Sequence, residues 1–244
     1  MHPIITTEQR SQLQENGYFI LENLFSTEDM AELTLRIETF QKRHEEELVK
    51  KGGTEGISRA DEISFTAFLA EQDEAIAAFA KRSEFVAITT QLLGADIDLY
   101  WNQSVFKAPE GNKEFPWHQD DGYTPVSPSP YLTLWLALND ATTENGCISV
   151  LPGSHKSGLA PHEQTPIGLN CYPSDAPNQG VPVPLKAGSI AVFLSLTFHK
   201  SGVNRSNGYR KAYILQYSQS PLKNMRTGEI IANRIPLTRN SVAV

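Results

Sequence analysis

Apolar residues in the first third of the chain recur at every third or fourth position, which is the spacing of amphipathic helices. Thr6 or Thr7 can accept the free backbone hydrogen bonds at the start of a first helix, and Gly17 suits its end. Ser26, followed by acidic residues, begins a second helix with a charged, solvated tail. The apolar face of this second helix consists of Met30, Leu33, Ile37 and Phe40. The predicted helices span about 7–16, 27–51, 65–81 and 83–93, with a short strand at 18–21 and a loop at 52–62.

From residue 95 onward, apolar and polar residues alternate, so the predicted elements become strands. The predicted strands span 97–107, 115–119, 131–138, 147–151, 188–194 and 210–218. Asn145-Gly146 predicts a hairpin turn before one of them. Consecutive strands without intervening helices disfavour a parallel βαβ sheet and favour an antiparallel sandwich or jelly roll with a helical flank. Leu159–Val183 shows neither pattern, and a loop of this length is typically a lid or disordered.

Two predicted strands carry chemically different faces. The strand at 131–138 has one face of Leu132, Leu134, Leu136 and Leu138, and a second of Tyr131, Thr133, Trp135 and Ala137. We expect the leucine face to lie in the core and the other face to line a cavity. In the strand at 97–107, Gln103 and Lys107 share a face with Leu99, Trp101 and Val105. Lys107 either extends its ammonium group to solvent or binds a carboxylate.

Composition narrows the class of protein. The chain has 244 residues, a hydrophobic fraction of 40% and a net charge of −7. The absence of a basic block disfavours nucleic acid or an anionic membrane as partner. Neither a signal core near the N-terminus nor an apolar run of 18 residues is present, and Cys147 and Cys171 form no disulfide framework. We therefore expect a cytoplasmic protein, monomer or homodimer, with one domain over 1–244: a helical flank at 1–94, a jelly-roll core at 95–218 and a C-terminal extension at 219–244.

Candidate chemistry centres on His118 and Asp120, in the stretch Trp117-His118-Gln119-Asp120. Residues two apart on a strand leave on the same face, so this imidazole and carboxylate can bind one divalent metal. His199 is the best third ligand, and two histidines with one carboxylate form the facial triad of non-haem Fe(II) oxygenases. The alternative is an ordinary hydrogen-bonded surface pair, because a His-x-Asp spacing is common by chance.

Arg210 begins the last strong strand and shares a face with Ala212, Ile214 and Gln216. An arginine on an inward face needs an anion, and its planar fork suits a carboxylate. Ser201, two residues after His199, can add a hydroxyl donor. Arg205 competes for this role but lies in a predicted turn. An ordinary salt bridge is the structural alternative for Arg210.

Taken in order, five motifs make the chain resemble the phytanoyl-CoA dioxygenase family, a branch of the Fe(II)/2-oxoglutarate oxygenases. The motifs are Trp117-His118-Gln119-Asp120, Asn145-Gly146-Cys147, Leu151-Pro152-Gly153-Ser154-His155, His199-Lys200-Ser201-Gly202-Val203-Asn204 and Arg210. The resemblance, in register from about 17 to 218, implies a mainly β protein: a double-stranded β-helix, or cupin-like jelly roll, with N-terminal helices packed outside.

The same resemblance implies roles for individual residues. It implies Fe(II) bound by His118, Asp120 and His199, with 2-oxoglutarate and O₂ as co-substrates. It implies Arg210 and Ser201 on the distal carboxylate of 2-oxoglutarate, with Trp135, Gln103 and Lys107 nearby. Acyl-CoA specificity does not follow, because the chain has no basic cluster for the CoA phosphates. His155 is expected to cap a turn and His162 to lie on the lid, with a substrate contact as the alternative for each.

The resulting hypothesis is an enzyme that oxidises a small organic substrate, most simply by hydroxylation. Related halogenases have a small residue in place of the carboxylate ligand, and Asp120 therefore disfavours halogenation. Desaturation or ring formation is the alternative reaction. The rival classes are a non-catalytic jelly-roll binding protein and a hydrolytic zinc cupin, and a buried carboxylate anchor at Arg210 would disfavour the latter.

Overall fold

The computed structural model describes residues 5–109, 114–172, 178–232 and 234–244. Its helices are α1 (Thr7–Asn16), α2 (Thr27–Lys50), α3 (Glu74–Ala80), α4 (Ser83–Leu93) and the four-residue α5 (Asp120–Tyr123), with a 3-10 helix at Ser154–Ser157. The first nine strands are β1 (Tyr18–Leu21), β2 (Thr54–Glu55), β3 (Ser58–Arg59), β4 (Ile63–Ala67), β5 (Ile97–Lys107), β6 (Phe115–His118), β7 (Val126–Ser127), β8 (Leu132–Ala137) and β9 (Ile148–Val150). The others are β10 (Glu163–Thr165), β11 (Gly168–Asn170), β12 (Val181–Val183), β13 (Ile190–Leu194), β14 (His199–Ser201), β15 (Arg210–Gln219), β16 (Lys223–Asn224), β17 (Ile235–Arg239) and β18 (Val242–Ala243).

Two antiparallel sheets form the body of the protein. The larger sheet has the strand order β1-β13-β8-β15-β5-β4-β3-β2, with β17 also pairing with β5. The smaller sheet has the order β12-β9-β14-β6. One cavity takes lining residues from β5, β8 and β15 of the larger sheet and from β6, β9 and β14 of the smaller one. The sheets therefore face each other across the cavity, and the predicted jelly-roll core with a helical flank is confirmed.

The helical flank covers the outer face of the larger sheet. Ser26 accepts a hydrogen bond from Asp29 N at the start of α2, as its sequence predicts. The main core joins apolar side chains of α2, α3 and α4 to the leucine face of β8: Met30, Leu33, Ile37, Ile76, Phe85, Ile88, Leu132, Leu134, Leu136 and Leu138. The opposite face of β8 lies toward the cavity through Tyr131, Thr133 and Trp135. The predicted division of this strand into two faces is confirmed.

The predicted helix at 65–81 is wrong in its first half. Residues 63–67 form strand β4, which pairs with β5, and α3 begins only after Asp73, whose side chain accepts the first free backbone hydrogen bonds of the helix. The hydroxyl of Thr66 donates to the buried Gln41 of α2 at 2.8 Å. Pairing with β5 satisfies the backbone there, and this tertiary contact outweighs the local helical spacing.

Two other expectations also needed correction. Asn145-Gly146 lies in a turn closed by a hydrogen bond from Cys147 N to Thr142 O, but β9 leaves that turn to pair with β12 and β14 and forms no hairpin with β8. Leu99 packs in the main core rather than on the cavity side with Gln103, because an irregularity opposite Gln216 and Tyr217 shifts the register of β5.

The C-terminal extension pairs with the core instead of trailing from it. β16 pairs with β7, and β17 pairs with β5. The fully buried carboxylate of Asp98 forms an ion pair with Arg234 at 3.1 Å and accepts a hydrogen bond from Arg239 at 2.7 Å, so the extension is bound to β5 by charge as well as by backbone hydrogen bonds. Among the described helices, none combines the length and apolar character that crossing a bilayer requires. The cytoplasmic location, the oligomeric state and the domain boundaries stay predictions.

The packing of β8 against the helices yields a prediction about stability. Leu136 is fully buried in the main core, whereas Leu35 on α2 is 69% exposed. Leu136→Ala should lower the free energy of unfolding by about 2–5 kcal/mol, because it leaves a cavity in a packed core. Leu35→Ala should change it by less than about 0.5 kcal/mol. Urea unfolding followed by circular dichroism measures both, and equal losses would contradict this description of the core.

Candidate metal centre and active site

The two predicted histidine ligands lie side by side on neighbouring strands. His118 ends β6, His199 begins β14, and the two are directly paired in the sheet register. Nδ1 of His118 is 2.9 Å from Pro116 O, and Nδ1 of His199 is 3.0 Å from Thr197 O. When each Nδ1 donates its proton to that carbonyl, Nε2 keeps a free lone pair. Burial lowers the pKa of His118 to about 3 and of His199 to about 4, so both rings are neutral at neutral pH.

Asp120 reaches the same point from a different element than the sequence predicted. It is the first residue of α5, two positions beyond the end of β6, so the argument that placed His118 and Asp120 on one face of a strand was wrong. Its Oδ1 is 3.8 Å from His118 Nε2 and 3.6 Å from His199 Nε2. Thr133 Oγ1 donates to its Oδ2 at 2.5 Å, and Gln216 Nε2 in turn donates to Thr133 at 3.4 Å. Burial raises the pKa of this carboxyl group, and these donors oppose that shift.

Together these three side chains make a donor set suited to a divalent metal. Their ligand atoms all lie within 4.8 Å of one another. Two neutral imidazole nitrogens and one carboxylate oxygen match non-haem Fe(II), and both imidazoles already have a hydrogen-bond partner behind them. All three residues line the cavity, so the remaining coordination positions of a bound ion would open into it.

Gln119, which sequence reasoning did not single out, supports this arrangement from between two of the ligands. Its Nε2 donates to Gly158 O at 2.8 Å and to Leu196 O at 2.7 Å, and its Oε1 accepts from Ala160 N at 2.8 Å. A fully buried amide with its hydrogen bonds made is a strong positional restraint. Only the location of Gln119 between two candidate ligands signalled this role in the sequence.

The side chains of His155 and His162, the two further candidate histidines, form hydrogen bonds with the backbone. Gln119 N donates to His162 Nε2 at 3.1 Å, while His162 Nδ1 is 2.9 Å from Ala160 O. His155 Nε2 is 3.1 Å from Gln14 O at the end of α1. Neither ring lines the cavity. His155 thus contacts the end of α1 instead of capping its own turn. A substrate contact stays a prediction for both residues.

Two buried basic side chains lie on adjacent strands, Arg210 at one end of the cavity and Lys107 beside it without lining it. Arg210 and Lys107 are direct partners in the register of β15 and β5, with exposures of 1% and 2%. Burial lowers the pKa of Arg210 to about 10, and burial together with Arg210 lowers the pKa of Lys107 well below its usual value. Lys107 Nζ donates to Ser201 Oγ at 3.0 Å. Lys107 therefore does not extend to solvent, which had been one of its two expected states.

Arg210 has unused hydrogen-bonding capacity. Its Nε and Nη1 have no hydrogen-bond partner within the described residues, although both atoms are enclosed. Its guanidinium carbon lies 5.2 Å from the centre of the Trp135 ring. Because an enclosed charge without a partner is costly, this geometry calls for an anion that these residues do not supply. Arg205 is exposed and contributes a backbone hydrogen bond to Glu144 O, so it lies away from the cavity.

The remaining predicted co-substrate residues also lie at this cavity. Ser201, Gln103 and Trp135 line it, together with Arg210 and the three candidate metal ligands. The cavity has a volume of about 390 Å³ and is mostly apolar. This is within the range of small-molecule sites, which are typically about 300–1,000 Å³.

The segment predicted as a lid folds in part into a hairpin over the metal centre. β10 and β11 pair, and Leu169 N donates to the Tyr123 hydroxyl at 3.2 Å. The rings of Phe115 and Tyr123 pack edge-on against His118, with centroid distances of 4.9 and 5.8 Å. The described part of Leu159–Val183 is thus more structured than its composition indicated. Residues 173–177 lie outside the described residues, and mobility of the lid stays a prediction.

Comparison with known proteins agrees with the fold and the site. The family model described as phytanoyl-CoA dioxygenase (PhyH) matches residues 13–212. A peroxisomal phytanoyl-CoA dioxygenase from Rattus norvegicus is 26% identical over 242 residues, covering 90% of this chain and 70% of the relative. A probable alpha-ketoglutarate-dependent hypophosphite dioxygenase from Stutzerimonas stutzeri is 26% identical over 233 residues, covering 86% and 78%.

Solved structures share the fold over almost the whole chain. The non-heme alpha ketoglutarate dependent carbocyclase SnoK superposes with a TM-score of 0.78 at 21% identity, covering 96% of both chains. The epimerase SnoN, solved with Fe3+, alpha ketoglutarate and nogalamycin RO, gives a TM-score of 0.70 at 19% identity, covering 97% and 94%. By class, the protein is an iron- and 2-oxoglutarate-dependent oxygenase. The chain belongs to the phytanoyl-CoA dioxygenase (PhyH) family.

The metal centre yields a graded prediction. Asp120→Ala or His118→Ala should abolish Fe(II) binding and turnover, because two ligands cannot hold the ion. Thr133→Val keeps the shape but removes the donor to Asp120, and should weaken Fe(II) binding by about 10–100-fold. Glu22→Ala, which changes an exposed acid, should have no effect. Metal content after anaerobic dialysis measures this series, with circular dichroism to verify folding. Near-full metal binding by Asp120→Ala would refute the assignment.

The lid contact yields a second prediction with a matched control. Gly168 has a φ of +132°, and an added Cβ would lie 2.7 Å from the Tyr123 hydroxyl and 2.8 Å from Phe115. Gly52 also has a positive φ, +92°, but an added Cβ there meets nothing within 4 Å. Gly168→Ala should therefore speed proteolytic cleavage within 159–172, whereas Gly52→Ala should not. Metal and co-substrate should protect the wild type, and equal cleavage rates in all samples would count against a lid.

Proposed function

We propose that this protein couples oxidative decarboxylation of 2-oxoglutarate to hydroxylation of a small organic metabolite. The overall reaction converts 2-oxoglutarate, O₂ and a substrate C–H bond into succinate, CO₂ and a C–OH group. The observation that carries the proposal is the joint lining of one cavity by the His118, Asp120 and His199 cluster and by the partly unpaired Arg210. A metal site alone fits many enzymes, whereas a metal site facing an enclosed carboxylate receptor fits a keto-acid co-substrate.

The spacing of residues along β8 supports a 2-oxoglutarate molecule between the proposed metal centre and Arg210. Thr133 contacts the metal-ligating carboxylate, and Trp135, two residues further along β8 on the same face, contacts Arg210. Two residues of a strand span about 6.6 Å. A five-carbon dicarboxylate can therefore reach from the metal, which its keto-acid end would bind, to Arg210, which its far carboxylate would bind. Lys107 and Ser201 lie at this far end, and Gln103 lies along the way.

In this proposal, the residues of the chain orient the reactants and exclude water from them. The iron, when bound, supplies the activation of O₂ that the organic side chains lack. Arg210 would hold the distal carboxylate by paired hydrogen bonds, with the Trp135 ring beside the guanidinium group. Phe115 and Tyr123 shield His118, and the hairpin above them limits access of water. These contacts leave the substrate side of the cavity as the open approach to the metal.

Features of the site also bear on the type of reaction. Asp120 occupies the carboxylate position of the metal cluster, so no ligand position is vacated for a halide. Hydroxylation is the simplest outcome, since it needs no second event in the substrate. Ring closure or desaturation is the alternative, and SnoK, which shares this fold, is described as a carbocyclase. SnoN, which also shares it, is described as an epimerase. Product analysis by mass spectrometry separates these outcomes, because only hydroxylation adds an oxygen atom.

The geometry also separates the proposal from its rivals. A hydrolytic zinc enzyme does not require an enclosed guanidinium group that binds the carboxylate of a co-substrate. A non-catalytic binding protein could keep both halves of the site but would release no succinate. The decisive experiment is therefore succinate formation from 2-oxoglutarate with Fe(II), O₂ and a metabolite library. A site that binds 2-oxoglutarate but never forms succinate would favour the binding protein.

Arg210 provides the sharpest test of the co-substrate. Removing one partner of an enclosed charge pair costs on the order of 3–5 kcal/mol, or about a hundred- to several-thousand-fold in affinity. Arg210→Gln should weaken 2-oxoglutarate binding by about that factor while Fe(II) binding changes little. Arg210→Lys should fall between, because a point charge remains without the planar fork. The visible band of the anaerobic Fe(II)–2-oxoglutarate complex measures the affinity.

Arg205→Gln is the matched control, because Arg205 is exposed and outside the cavity. It should leave 2-oxoglutarate affinity within about twofold, the scale of a surface substitution. A large loss in Arg205→Gln together with a normal Arg210→Gln would show that the anchor is misassigned. No loss in either variant would remove 2-oxoglutarate from the proposal.

A further inference from the structure

Strand β8 and the residue directly before it present three cavity-facing side chains along one line. Trp135 contacts Arg210, and Thr133, two residues before it, contacts the metal-ligating Asp120. Tyr131 lies a further two residues before Thr133 and also lines the cavity. Successive members are separated by about 6.6 Å along the strand. Tyr131 therefore lies on the side of the metal centre opposite the proposed 2-oxoglutarate anchor. This is the side that a substrate must occupy to present a C–H bond to the metal.

The Tyr131 hydroxyl is a polar group that the folded chain does not use. Tyr131 is 3% exposed and lines the cavity, yet its hydroxyl forms no hydrogen bond with any residue in the described ranges. Its oxygen is also not one of the enclosed, unpaired atoms, so it borders the open space of the cavity. Burial and the nearby Asp120 raise the pKa of Tyr131 well above its usual value, and the phenol is thus a hydrogen-bond donor at neutral pH. A buried donor of this kind needs an acceptor.

Aromatic and apolar side chains surround this hydroxyl. Tyr100 packs edge-on against Tyr131 at a centroid distance of 5.3 Å, and Trp101 lies beside Tyr100 at 6.5 Å. Leu222 and Ile231 of the C-terminal extension pack behind this cluster. On the opposite wall, Phe65 packs on Phe115 at 5.2 Å. Flat rings at several angles suit a rigid ring system better than a flexible chain.

Few charged side chains line the cavity. The charged or titratable lining residues other than tyrosine are the three candidate metal ligands, Arg210 and Lys200. Lys200 is already paired with Glu114 at 3.1 Å and lies over the Trp117 ring at 5.4 Å.

Asp120 lies near enough to Tyr131 to raise its pKa, but the proposed function assigns this carboxylate to the metal, and the neighbouring Asp121 does not line the cavity. The charged side chains that line the cavity in the described part of the chain thus all have another partner or role, and none is left as the counter-charge of a substrate beside Tyr131. Burying an unpaired charge is far more costly than burying a neutral hydrogen-bonded group.

From this arrangement we infer that the substrate is a neutral, ring-containing molecule whose hydroxyl or carbonyl oxygen accepts a hydrogen bond from Tyr131. This inference rests on the proposed function for which half of the cavity is the substrate half. Tyr131 is then a specificity-determining residue: it fixes one oxygen of the substrate, and the aromatic wall holds the ring so that a neighbouring C–H bond faces the metal. A carboxylate, an ammonium group or a CoA thioester does not fit this half.

The test uses one ring skeleton with four substituents. The probes are 2-tetralol, the hydrocarbon tetralin, tetralin-2-carboxylate and 2-aminotetralin. Binding is measured by calorimetry on protein loaded with Fe(II) and 2-oxoglutarate without O₂, and again on metal-free protein. In the wild type, 2-tetralol should bind about five- to tenfold more tightly than tetralin, the usual value of one neutral hydrogen bond. Both charged probes should bind more weakly than tetralin.

Tyr131→Phe should remove the advantage of 2-tetralol over tetralin while tetralin binding stays unchanged. This difference within one variant is insensitive to a general loss of folding or packing. Tyr209→Phe is the matched control, because Tyr209 is 46% exposed and outside the cavity, and the advantage should persist in it. A preserved advantage in Tyr131→Phe, tighter binding of a charged probe, or no binding by any neutral probe would overturn the inference.

Failure of the proposed function would look different. The visible Fe(II)–2-oxoglutarate band is recorded before the probes are added, and its absence would refute the co-substrate assignment. The predicted probe ranking in metal-free protein would then still support a neutral ring site at Tyr131. A normal band with the wrong probe ranking would leave the proposed function intact and overturn only the substrate class.

Discussion

The antiparallel register of β15 between β5 and β8 is the constraint on which the site depends. It sets Arg210 opposite Lys107, and it brings Gln216 opposite Thr133, which donates to the candidate metal ligand Asp120. A slip of one residue would turn every one of these side chains to the other face of the sheet. The leucine face of β8 and the helices packed on it oppose such a slip, because it would move buried leucines into the cavity. Hydrophobic packing on the outer face of the sheet thus keeps the candidate site residues in position on its inner face.

Buried polar groups in this protein fall into two kinds. Some are fully satisfied and hold geometry, as in Gln119, whose side chain bonds three backbone groups around the metal centre. Others are left incomplete, as in the guanidinium of Arg210 and the hydroxyl of Tyr131. Incomplete polar groups cost stability in an empty protein, and at these two groups the proposed ligands would supply the missing partners. The metal centre between them is the point at which those ligands would meet.

Segments outside the jelly roll complete the cavity. The β10–β11 hairpin rests on Tyr123 beside His118, and the C-terminal extension supports the aromatic cluster around Tyr131 through Leu222 and Ile231. Arg226 of the extension also donates to Gly122 O and Tyr123 O at 3.0 Å each, at the end of the short helix that begins with Asp120.

Residue patterns were sufficient to predict the mainly β fold with its helical flank and the two faces of β8. They also singled out His118, Asp120, His199 and Arg210 as candidate site residues, and all four line one cavity in the structure. The alternation of apolar and polar residues and the chemistry of single side chains are local properties, so they can be recognised in the sequence itself. Other features of the fold and the site could not be predicted, because they depend on contacts between residues that are distant in sequence. Residues 63–67 became a strand because β5 offered them partners, and Asp120 came to the metal centre from a helix instead of a strand. The open hydroxyl of Tyr131 and the restraint by Gln119 depend on which atoms meet after folding, and no spacing along the sequence encodes such contacts.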